Sequence, residues 1–386
     1  MTIPATPRKD QHRTEQPTLF LAFELGVNTW KLAITTGAAQ RPRERSVPAG
    51  DVQAVQEELG RARRRVGVPE DARVVSGYEA GRDGFWLQRG FVAQRVENVV
   101  VESSSLEVKR RSRWANTERL DVHKLLTMLL RYAAGETKVW SVVRVPRVEG
   151  EDRRQLHREL LPAKRDRTRL INRIKGLLAA QGLTLSLHGD VPRQLALLHV
   201  WDGSPVPPGL RQRLTRDWEQ LECLAHRIVQ LEAERRELLR TSQAAAIRQA
   251  RQLLTLKGIG GNSAWLFVME FFGWRAFRNG KEVGALAGLT PTPHASGTTA
   301  YELGLTKAGN RYIRALAVEI AWGWLRFQPA SALSQWYQAR FGQGSSRVRR
   351  IGIVALARKL LVALWRFLER GVVPTGAVLK TADAVR

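Results

Sequence analysis

The sequence predicts a mixed α/β domain followed by a mainly helical remainder. Over residues 18–150, short apolar segments alternate with helical periodicity, beginning with a strand–turn–strand pattern. Two long segments of helical periodicity follow over 151–252, and further helices separated by glycine-rich turns fill 253–373. These three observations define the predicted domains, which are flanked by a polar, disordered arm over 1–17 and a loose tail over 374–386.

The elements of the α/β domain follow from local patterns of apolar residues. The first two strands form a hairpin, because a Gly-Val-Asn turn over 26–28 separates two apolar runs. Helix and strand then alternate, as in a mixed sheet. We expect strands at 19–25, 31–35, 73–76 and 98–102. We expect helices at 51–66, from after Gly81 through Phe91, and at 117–134.

Two long helices are predicted over 151–182 and 209–252, with a Gly- and Pro-rich linker over 202–209. In the second helix, apolar residues recur at heptad spacing, in rows that Asp217 and Arg235 interrupt: Leu214, Leu221 and Ile228, then Leu224, Leu231 and Leu238. This pattern is typical of a helical hairpin that packs on itself, or of a coiled coil that dimerises the protein. The sequence leaves both interpretations open.

The charge of the chain indicates a polyanionic partner. Its 386 residues contain 62 Lys and Arg against 36 Asp and Glu, which gives a net charge of +26, accompanied by 12 Trp. Such a charge favours nucleic-acid binding through counterion release and phosphate contacts, although a merely basic or ribosomal-type protein would share it. The outer face of the first long helix would suit DNA or RNA through Arg153, Arg154, Arg165, Arg167, Arg169 and Arg173.

Cysteine and histidine usage excludes several classes of protein. Cys223 is the only cysteine, so neither a disulfide within the chain nor a cysteine-rich zinc site can form. The seven histidines show no paired ligand spacing. The chain has no apolar run of 18 residues and no signal-like start, so we expect a cytoplasmic protein without membrane association.

A turn over 257–262 lies between two apolar helices and resembles the turn of a helix-hairpin-helix. Lys257, Gly258 and Gly260 would expose backbone amides and a helix N-terminus to a nucleic-acid phosphate. A plain loop is the alternative interpretation. Further helices are predicted over 311–328 and 347–370.

Ser296 and Gly297 lie in a turn of small residues. Glycine after serine leaves the hydroxyl accessible and lets a phosphate approach the backbone, as a nucleophile requires. About ten residues later, a second turn opens a long apolar helix and offers further phosphate contacts at Lys307, Asn310 and Arg311. A Ser-Gly pair is often only a turn, so its role depends on the residues around it.

Four carboxylates are candidate metal ligands. Glu24 stands in the middle of an otherwise apolar strand, where a charge is costly without a partner. Glu79 follows a buried strand, and Glu118 and Asp121 share one face at the start of a helix. Gathered at one end of a sheet, they would hold one or two Mg²⁺ ions for phosphodiester chemistry. Helix-dipole and capping roles are the alternatives for the last three.

The motifs together resemble one family over residues 19–374. The ordered set is similar to insertion-sequence transposases that combine an N-terminal RuvC-like (RNase H-like) DEDD domain with a C-terminal serine-bearing domain, also called bridge-RNA-guided recombinases. The matching segments are 23–26, 78–81, 116–121, 165–173, 258–260, 285–291, 296–297 and 305–311. The chain departs from the family in having Glu24 and Glu118 where the pattern has Asp.

The resemblance implies a mechanism and a set of partners. Ser296 would attack a DNA phosphodiester and form a phosphoserine link, supported by Mg²⁺ on the four carboxylates. The partners implied are donor and target DNA, a structured guide RNA, and further copies of the chain in a homodimer or tetramer. Two alternatives remain open: a metal-dependent, junction-resolvase-like nuclease that does not need the serine, and a degenerate protein that binds nucleic acid without cutting it.

Overall fold

The computed structural model describes residues 17–81, 84–106, 118–296, 299–307 and 309–381, without the side chains of 104, 118–121, 292–296 and 299–303. The predicted arm over 1–17 therefore lies almost wholly outside the described residues. The chain divides into two compact units, Met1–Pro146 and Arg147–Arg386. Each unit is described by itself.

The first unit is built on a mixed sheet, as the sequence predicts, and this sheet has five strands. The strands are β1 (Thr18–Leu25), β2 (Thr29–Thr35), β3 (Arg43–Pro48), β4 (Arg73–Glu79) and β5 (Glu97–Val101). They lie in the order β3-β2-β1-β4-β5. β2 pairs antiparallel with β1 and β3, whereas β4 pairs parallel with β1 and β5. The sequence patterns identified four of these strands and missed β3.

Helices cover both faces of this sheet, because apolar residues alternate along β1. On one face, α3 (Glu118–Ala133) packs through Leu125 and Leu129 against Ala22 and Val75. α1 (Val52–Val66) and α2 (Trp86–Ala93) are the other helices of the unit. The ring of Phe91 in α2 lies 5.2 Å from that of Phe23, whose side chain points to the face opposite Ala22.

The second unit opens with two long antiparallel helices, α4 (Val148–Ala179) and α6 (Pro208–Thr241), with α5 (Val191–Ala196) between them. The predicted helix over 209–252 is wrong in extent. It ends at Thr241, and α7 (Ala245–Leu254) is a separate helix. Ser242 and Ala244 are extended, and the Ser242 hydroxyl accepts a hydrogen bond from the Ala244 N–H at 3.3 Å. This local bond competes with helix continuation.

The heptad seam of α6 packs against α4 of the same chain. Leu214, Leu221 and Ile228 are buried. Ion pairs cross the hairpin from α4 to α6: Arg173–Asp217 at 3.0 Å, Lys164–Glu232 at 2.5 Å and Glu159–Arg227 at 2.9 Å. The structure thus shows that α4 and α6 form a helical hairpin within the chain. A coiled coil between chains stays a prediction.

The remaining helices enclose a large apolar core. They are α8 (Gly261–Phe267), α9 (Gly280–Leu286), α10 (Arg311–Phe327), α11 (Ala332–Tyr337) and α12 (Ser346–Arg370). A π-helical turn, Val268–Phe272, continues α8, and a two-stranded hairpin of β6 (Pro291–Ser296) and β7 (Thr299–Leu305) precedes α10. Trp265 and Trp324 are fully buried in this core.

The tail beyond Pro374 is held by hydrogen bonds, so the predicted loose tail over 374–386 is wrong as far as residue 381. Lys380 N–H donates to the Thr255 carbonyl at 2.7 Å, and Val378 carbonyl accepts from Lys257 N–H at 3.1 Å. Backbone pairing of this kind leaves little trace in side-chain patterns.

Among the helices of the described residues, none has the length and apolar character needed to span a bilayer.

Candidate active site and nucleic-acid interface

Two carboxylates lie at one edge of the sheet in the first unit. Glu79 is the last residue of β4, and Glu24 is the penultimate residue of β1 rather than in mid-strand as expected. Phe23 is the register partner of Tyr78 in this parallel pair. Glu24 and Glu79 each follow one residue later, so they lie side by side on one face. Both are half-buried at the carboxyl ends of adjacent strands, where sites in α/β sheets form.

Lys31 adds a positive charge beside these carboxylates. In the antiparallel pair β1–β2, Glu24 lies directly opposite Lys31. Opposite charges at such positions stabilise the pair, and Glu24 remains partly open to solvent. The cross-strand lysine therefore explains how an apolar strand tolerates Glu24. It also leaves Glu24 able to act as a ligand, because the side chain is only half-buried.

The helix α3, whose first turn contains Glu118 and Asp121, packs on the face of the sheet that carries Glu24 and Glu79. Its buried residues pack on Ala22 and Val75, which share a strand face with Glu24 and Glu79. Glu118 and Asp121 belong to the first turn of α3, and their side chains lie outside the described residues. Among the described side chains, no group of three or more His, Cys, Asp or Glu is placed to hold a metal ion. The four-carboxylate site stays a prediction.

The carboxyl groups nevertheless suit the expected metal. Glu24 and Glu79 offer hard, anionic oxygen ligands of the kind that Mg²⁺ binds, on neighbouring strands rather than on flexible loops. Mg²⁺ is commonly held by one or two protein carboxylates, with water and substrate phosphate completing its coordination. The donor set therefore fits the ion.

Ser296 is the last residue of β6 and pairs with Thr299 as the closing pair of the β6–β7 hairpin. The sequence placed it within the turn, whereas the structure places it at the strand end that enters the turn. Gly297 lies outside the described residues, and so does the side chain of Ser296.

The chain passes from β7 through a tight turn into α10. Lys307 has a positive φ of 53° and is exposed, and Gly309 has φ of 95°. The Asn310 side-chain oxygen accepts hydrogen bonds from the N–H groups of Tyr312 at 3.0 Å and Ile313 at 3.2 Å. Asn310 is thus the N-cap of α10. Because the Asn310 side chain caps the helix, Lys307 and the exposed Arg311 are the main residues of this turn that could contact a phosphate.

Two arginines meet at Tyr312, which the sequence analysis missed. The Arg311 guanidinium donates to the Tyr312 hydroxyl at 3.0 Å, and Arg165 of α4 lies 5.8 Å from the ring centroid. Hydrogen bonds from Arg311 and then Arg165 lower the pKa of the Tyr312 phenol. Two predicted nucleic-acid contacts that are distant in sequence therefore lie together at the start of α10.

The arginines of α4 divide into surface and buried groups. Arg165 and Arg169 are exposed, Arg167 is half-buried, and Arg173 reaches the buried carboxylate of Asp217. Arg154, which the sequence placed on the outer face, is buried. Of the arginines predicted on the outer face of α4, Arg165, Arg167 and Arg169 are therefore accessible, and Arg173 is paired with Asp217. The prediction is wrong for Arg154.

Arg154 is buried because it pairs with Glu270, a residue that the sequence analysis missed. Arg154 lies 3.2 Å from the Glu270 carboxylate, and Arg158 donates to it at 2.8 Å. Burial alone would raise the pKa of Glu270, but the hydrogen bonds from Arg158 and the charge of Arg154 outweigh it and lower the pKa. The available signal was a lone acid within the apolar run 264–272.

The turn after α7 has the predicted position between two helices. Gly258 has φ of 91°, and Gly260 caps α8. The turn is also hydrogen-bonded to its surroundings, since the Lys257 carbonyl accepts from Gln328 Nε2 at 2.8 Å and the Ile259 carbonyl from Lys380 Nζ at 2.7 Å. Its conformation is fixed by these contacts, whether or not a phosphate binds there.

Comparison with known proteins identifies the class to which these features belong. Strand-end carboxylates, a serine on a hairpin and clustered arginines would suit an enzyme that acts on nucleic acid. Residues 250–337 match the model of the transposase IS116/IS110/IS902 family. This match includes α8, the serine hairpin and α10.

Relatives extend the similarity over nearly the whole chain. It is 37% identical over 384 residues to y4rJ of Sinorhizobium fredii, which is named as a transposase, and the match covers 96% of both chains. It is 27% identical over 232 residues, 59% of this chain and 66% of the relative, to the transposase for insertion sequence element IS1328 of Yersinia enterocolitica. The chain belongs to the IS116/IS110/IS902 family of insertion-sequence transposases.

Proposed function

We propose that this transposase cuts and rejoins DNA through a covalent bond between Ser296 and a DNA phosphate. The observation that carries the proposal is the position of Ser296 at the tip of the β6–β7 hairpin, in the same segment as the basic start of α10. A nucleophile needs an exposed hydroxyl with cations nearby to bind the phosphate. Lys307, Arg311 and Arg165 supply the positive charge.

The reaction conserves the phosphodiester bond. Ser296 Oγ attacks phosphorus, the P–O bond to one deoxyribose breaks, and that deoxyribose leaves as a hydroxyl carrying the proton lost by serine. A hydroxyl of the partner strand then attacks the phosphoserine, forms the new phosphodiester and returns a proton to Ser296. Because one ester replaces another, no ATP is required.

The acidic residues of the first unit form the metal-binding part of the proposal. Glu24, Glu79, Glu118 and Asp121 would hold Mg²⁺ in a RuvC-like arrangement, supported by the adjacent strand ends of β1 and β4. When bound, Mg²⁺ supplies positive charge that stabilises the phosphate and favours ionisation of the serine. In this proposal the carboxylates and Ser296 would serve the same phosphodiester in a homodimer or tetramer.

A structured guide RNA would select the DNA. A net charge of +26 provides strong, sequence-independent attraction for phosphates. Base pairing between the guide and both donor and target DNA would then provide the sequence specificity, while the protein recognises the backbone. The accessible arginines of α4, Arg165, Arg167 and Arg169, are the surface proposed for this nucleic-acid contact.

The proposal is tested with Ser296→Ala. The protein is incubated with RNA transcribed from the element's flank, Mg²⁺ and labelled donor and target DNA, and covalent protein–DNA species are separated on denaturing gels. We expect an adduct with the wild type and at least a thousandfold loss with Ser296→Ala, while DNA binding is retained. Ser204→Ala, an exposed loop serine of the same unit, is the matched control and should form the adduct normally.

Other outcomes separate the alternatives. Cleavage that survives in Ser296→Ala would contradict serine chemistry and support a carboxylate nuclease. DNA binding without cleavage in the wild type, with RNA and Mg²⁺ present, would support a degenerate binding protein. Glu79→Gln should reduce adduct formation at least a hundredfold, and normal activity of this variant would remove Glu79 from the proposed metal site.

A further inference from the structure

A long groove runs beside α12 in the second unit. Its volume is about 1960 Å³, and its walls come from α9, α11, α12, the segment 372–375 and the base of the β6–β7 hairpin. The floor is apolar and includes Leu289, Leu333, Val354 and Val362. Several elements of the unit thus form the groove, and it continues to the hairpin that contains Ser296.

The rim of this groove is strongly basic. It includes six cations and no carboxylate: Lys281, Arg347, Arg350, Arg358, Lys359 and Arg366. In the part of the chain that the structure describes, none of the six lies within 4.0 Å of an acidic group. Their charges are therefore available to a ligand, and a row of uncompensated cations attracts a polyanion.

The cations of α12 extend over a length that matches several phosphates of a nucleic-acid backbone. From Arg347 to Arg366, α12 rises about 28 Å, which is the axial length of roughly eight base pairs of B-DNA. A row of cations of this length can follow the phosphates of one strand over several nucleotides.

An aromatic side chain lies among the cations. Trp336 of α11 is half-buried in the groove wall, and the Lys359 ammonium lies 4.7 Å from its ring centroid. Tryptophan beside lysine and arginine offers a surface for sugar or base stacking next to phosphate contacts. The apolar floor and the cationic rim together suit the two sides of a nucleic-acid strand.

The groove is close to the proposed nucleophile. Pro291, Gly304 and Leu305, at the base of the hairpin, belong to its wall. Ser296 is five residues further along β6, about 17 Å away along the strand. A strand in the groove is therefore within two to three nucleotides' reach of the hairpin tip.

We infer that the α12 groove binds one strand of the DNA next to the phosphodiester on which Ser296 acts. This inference rests on the proposed function for the choice of DNA. A second copy of the chain is disfavoured as occupant, because each copy carries a net charge of +26 and the rim contains only cations. DNA is favoured over RNA by the continuity of the groove with the serine hairpin.

The first test compares two double variants of α12. Arg350→Gln/Arg366→Gln removes two groove cations, whereas Arg349→Gln/Arg370→Gln removes two exposed cations of the same helix outside the groove. Affinity for a labelled 30-base-pair DNA is measured by fluorescence anisotropy at several salt concentrations. The groove variant should bind about tenfold more weakly, and its salt slope should fall by about 1.8, whereas the control should change less than twofold.

The second test locates the DNA. Cys223 is the only cysteine, so in Cys223→Ser protein a single new thiol can be placed at Ile351→Cys in the groove, 57% exposed, or at Val229→Cys on α6, 59% exposed. DNA carrying a disulfide-activated tether at one phosphate near the cleavage point is then added. We expect cross-linking at Ile351→Cys at least fivefold above Val229→Cys.

The outcomes are independent of cleavage, because binding and cross-linking are measured without it. Equal salt slopes for the two double variants would overturn the groove as a DNA site. Loss of affinity for an RNA of the same sequence, with DNA affinity unchanged, would overturn DNA as its occupant. If the groove tests succeed but Ser296→Ala still forms the adduct, the groove stands and the serine mechanism fails.

Discussion

Gly309 shows how one residue fixes the entry to the basic end of α10. Its φ is 95°, and a Cβ built there would lie 2.2 Å from the Leu286 carbonyl oxygen. The same oxygen accepts a hydrogen bond from the Asn310 N–H at 3.1 Å. The backbone therefore approaches α9 so closely that only glycine fits, and this approach sets the position of Asn310 and Arg311.

Replacing Gly309 by alanine should destabilise the second unit by about 3 kcal/mol, because the substitution adds backbone strain and a clash with backbone that cannot move aside. The free energy of unfolding is measured by urea denaturation. Gly304→Ala is the control, since no atom lies within 4 Å of its added Cβ, and it should change stability by less than 1 kcal/mol. Equal stability of the two variants would contradict the description of this turn.

His157 is a buried titratable group in α4. It is 2% exposed, and in the described residues neither ring nitrogen has a hydrogen-bond partner. Burial lowers its pKa to about 4, against a smaller opposing effect of Glu270. The cations that lower it further are Arg235, Lys164 and Arg158. The folded protein therefore keeps His157 neutral.

This shift predicts a dependence of stability on pH. The pKa of His157 is lower in the folded than in the unfolded chain, so the unfolded state binds more protons and stability falls as pH decreases from about 6.5 to about 4. The loss attributable to His157 is about 3 kcal/mol at pH 4. His157→Leu should remove that part of the fall in urea denaturation series, and exposed His226→Leu should leave the fall unchanged. Identical pH profiles for wild type and His157→Leu would contradict the assignment.

At the scale of elements, Gln328 connects three segments of the second unit. It is 1% exposed, and its Nε2 donates to the carbonyls of Lys257 at 2.8 Å and Val378 at 2.9 Å. Its Oε1 accepts from the Val378 N–H at 2.8 Å. The end of α10, the turn before α8 and the C-terminal segment are therefore held by one carboxamide.

Gln328→Met should cost about 3 kcal/mol, because three backbone groups each lose a partly buried hydrogen bond worth about 1 kcal/mol. The unfolding free energy and the exchange rate of the Val378 amide are the measurements, and exchange should become faster. Exposed Gln335→Met on α11 is the control and should change stability by less than 0.5 kcal/mol. Unchanged protection of Val378 would show that Gln328 does not hold the tail.

Element patterns predicted the sheet and the helices wherever apolar periodicity is strong. The structure confirms the strand predicted from alternation along β1 and the helix predicted from heptad spacing along α6, because the apolar residues of both patterns form the cores. β3 escaped prediction because its half-exposed, charged sequence, Arg43–Pro48, lacks apolar alternation. The break after Thr241 depends on a side-chain bond of Ser242, and the fixed tail depends on backbone pairing. Neither leaves a periodic signal.

The candidate site was predictable only in part. The sequence indicated Glu24 by its charge within an apolar strand and Glu79 by its position after a buried strand, and the register of β1 and β4 places the two side by side. The pairing of Arg311 with Arg165 at Tyr312 required the tertiary fold. The groove was not visible in sequence, because its six cations are separated along the chain and interrupted by the apolar residues of α12.

At the scale of the whole molecule, the charge of +26 suits attachment to the DNA on which a transposase acts, and the proposed chemistry is confined to a few residues. The first unit contributes carboxylates at strand ends, and the second contributes the serine hairpin with basic surfaces on α4, α10 and α12. Family membership assigns transposition to the chain, and the proposed serine attack explains how one small protein would both cut and rejoin DNA.

The most direct measurement is chemical localisation of the protein–DNA bond. The adduct formed with RNA, Mg²⁺ and DNA is digested with nuclease and protease, and the peptide that carries a residual nucleotide is sequenced by mass spectrometry. We predict a nucleotide phosphate on Ser296, with no such peptide from Ser296→Ala. A nucleotide on another residue, or complete cleavage of DNA without any modified peptide, would contradict the serine mechanism.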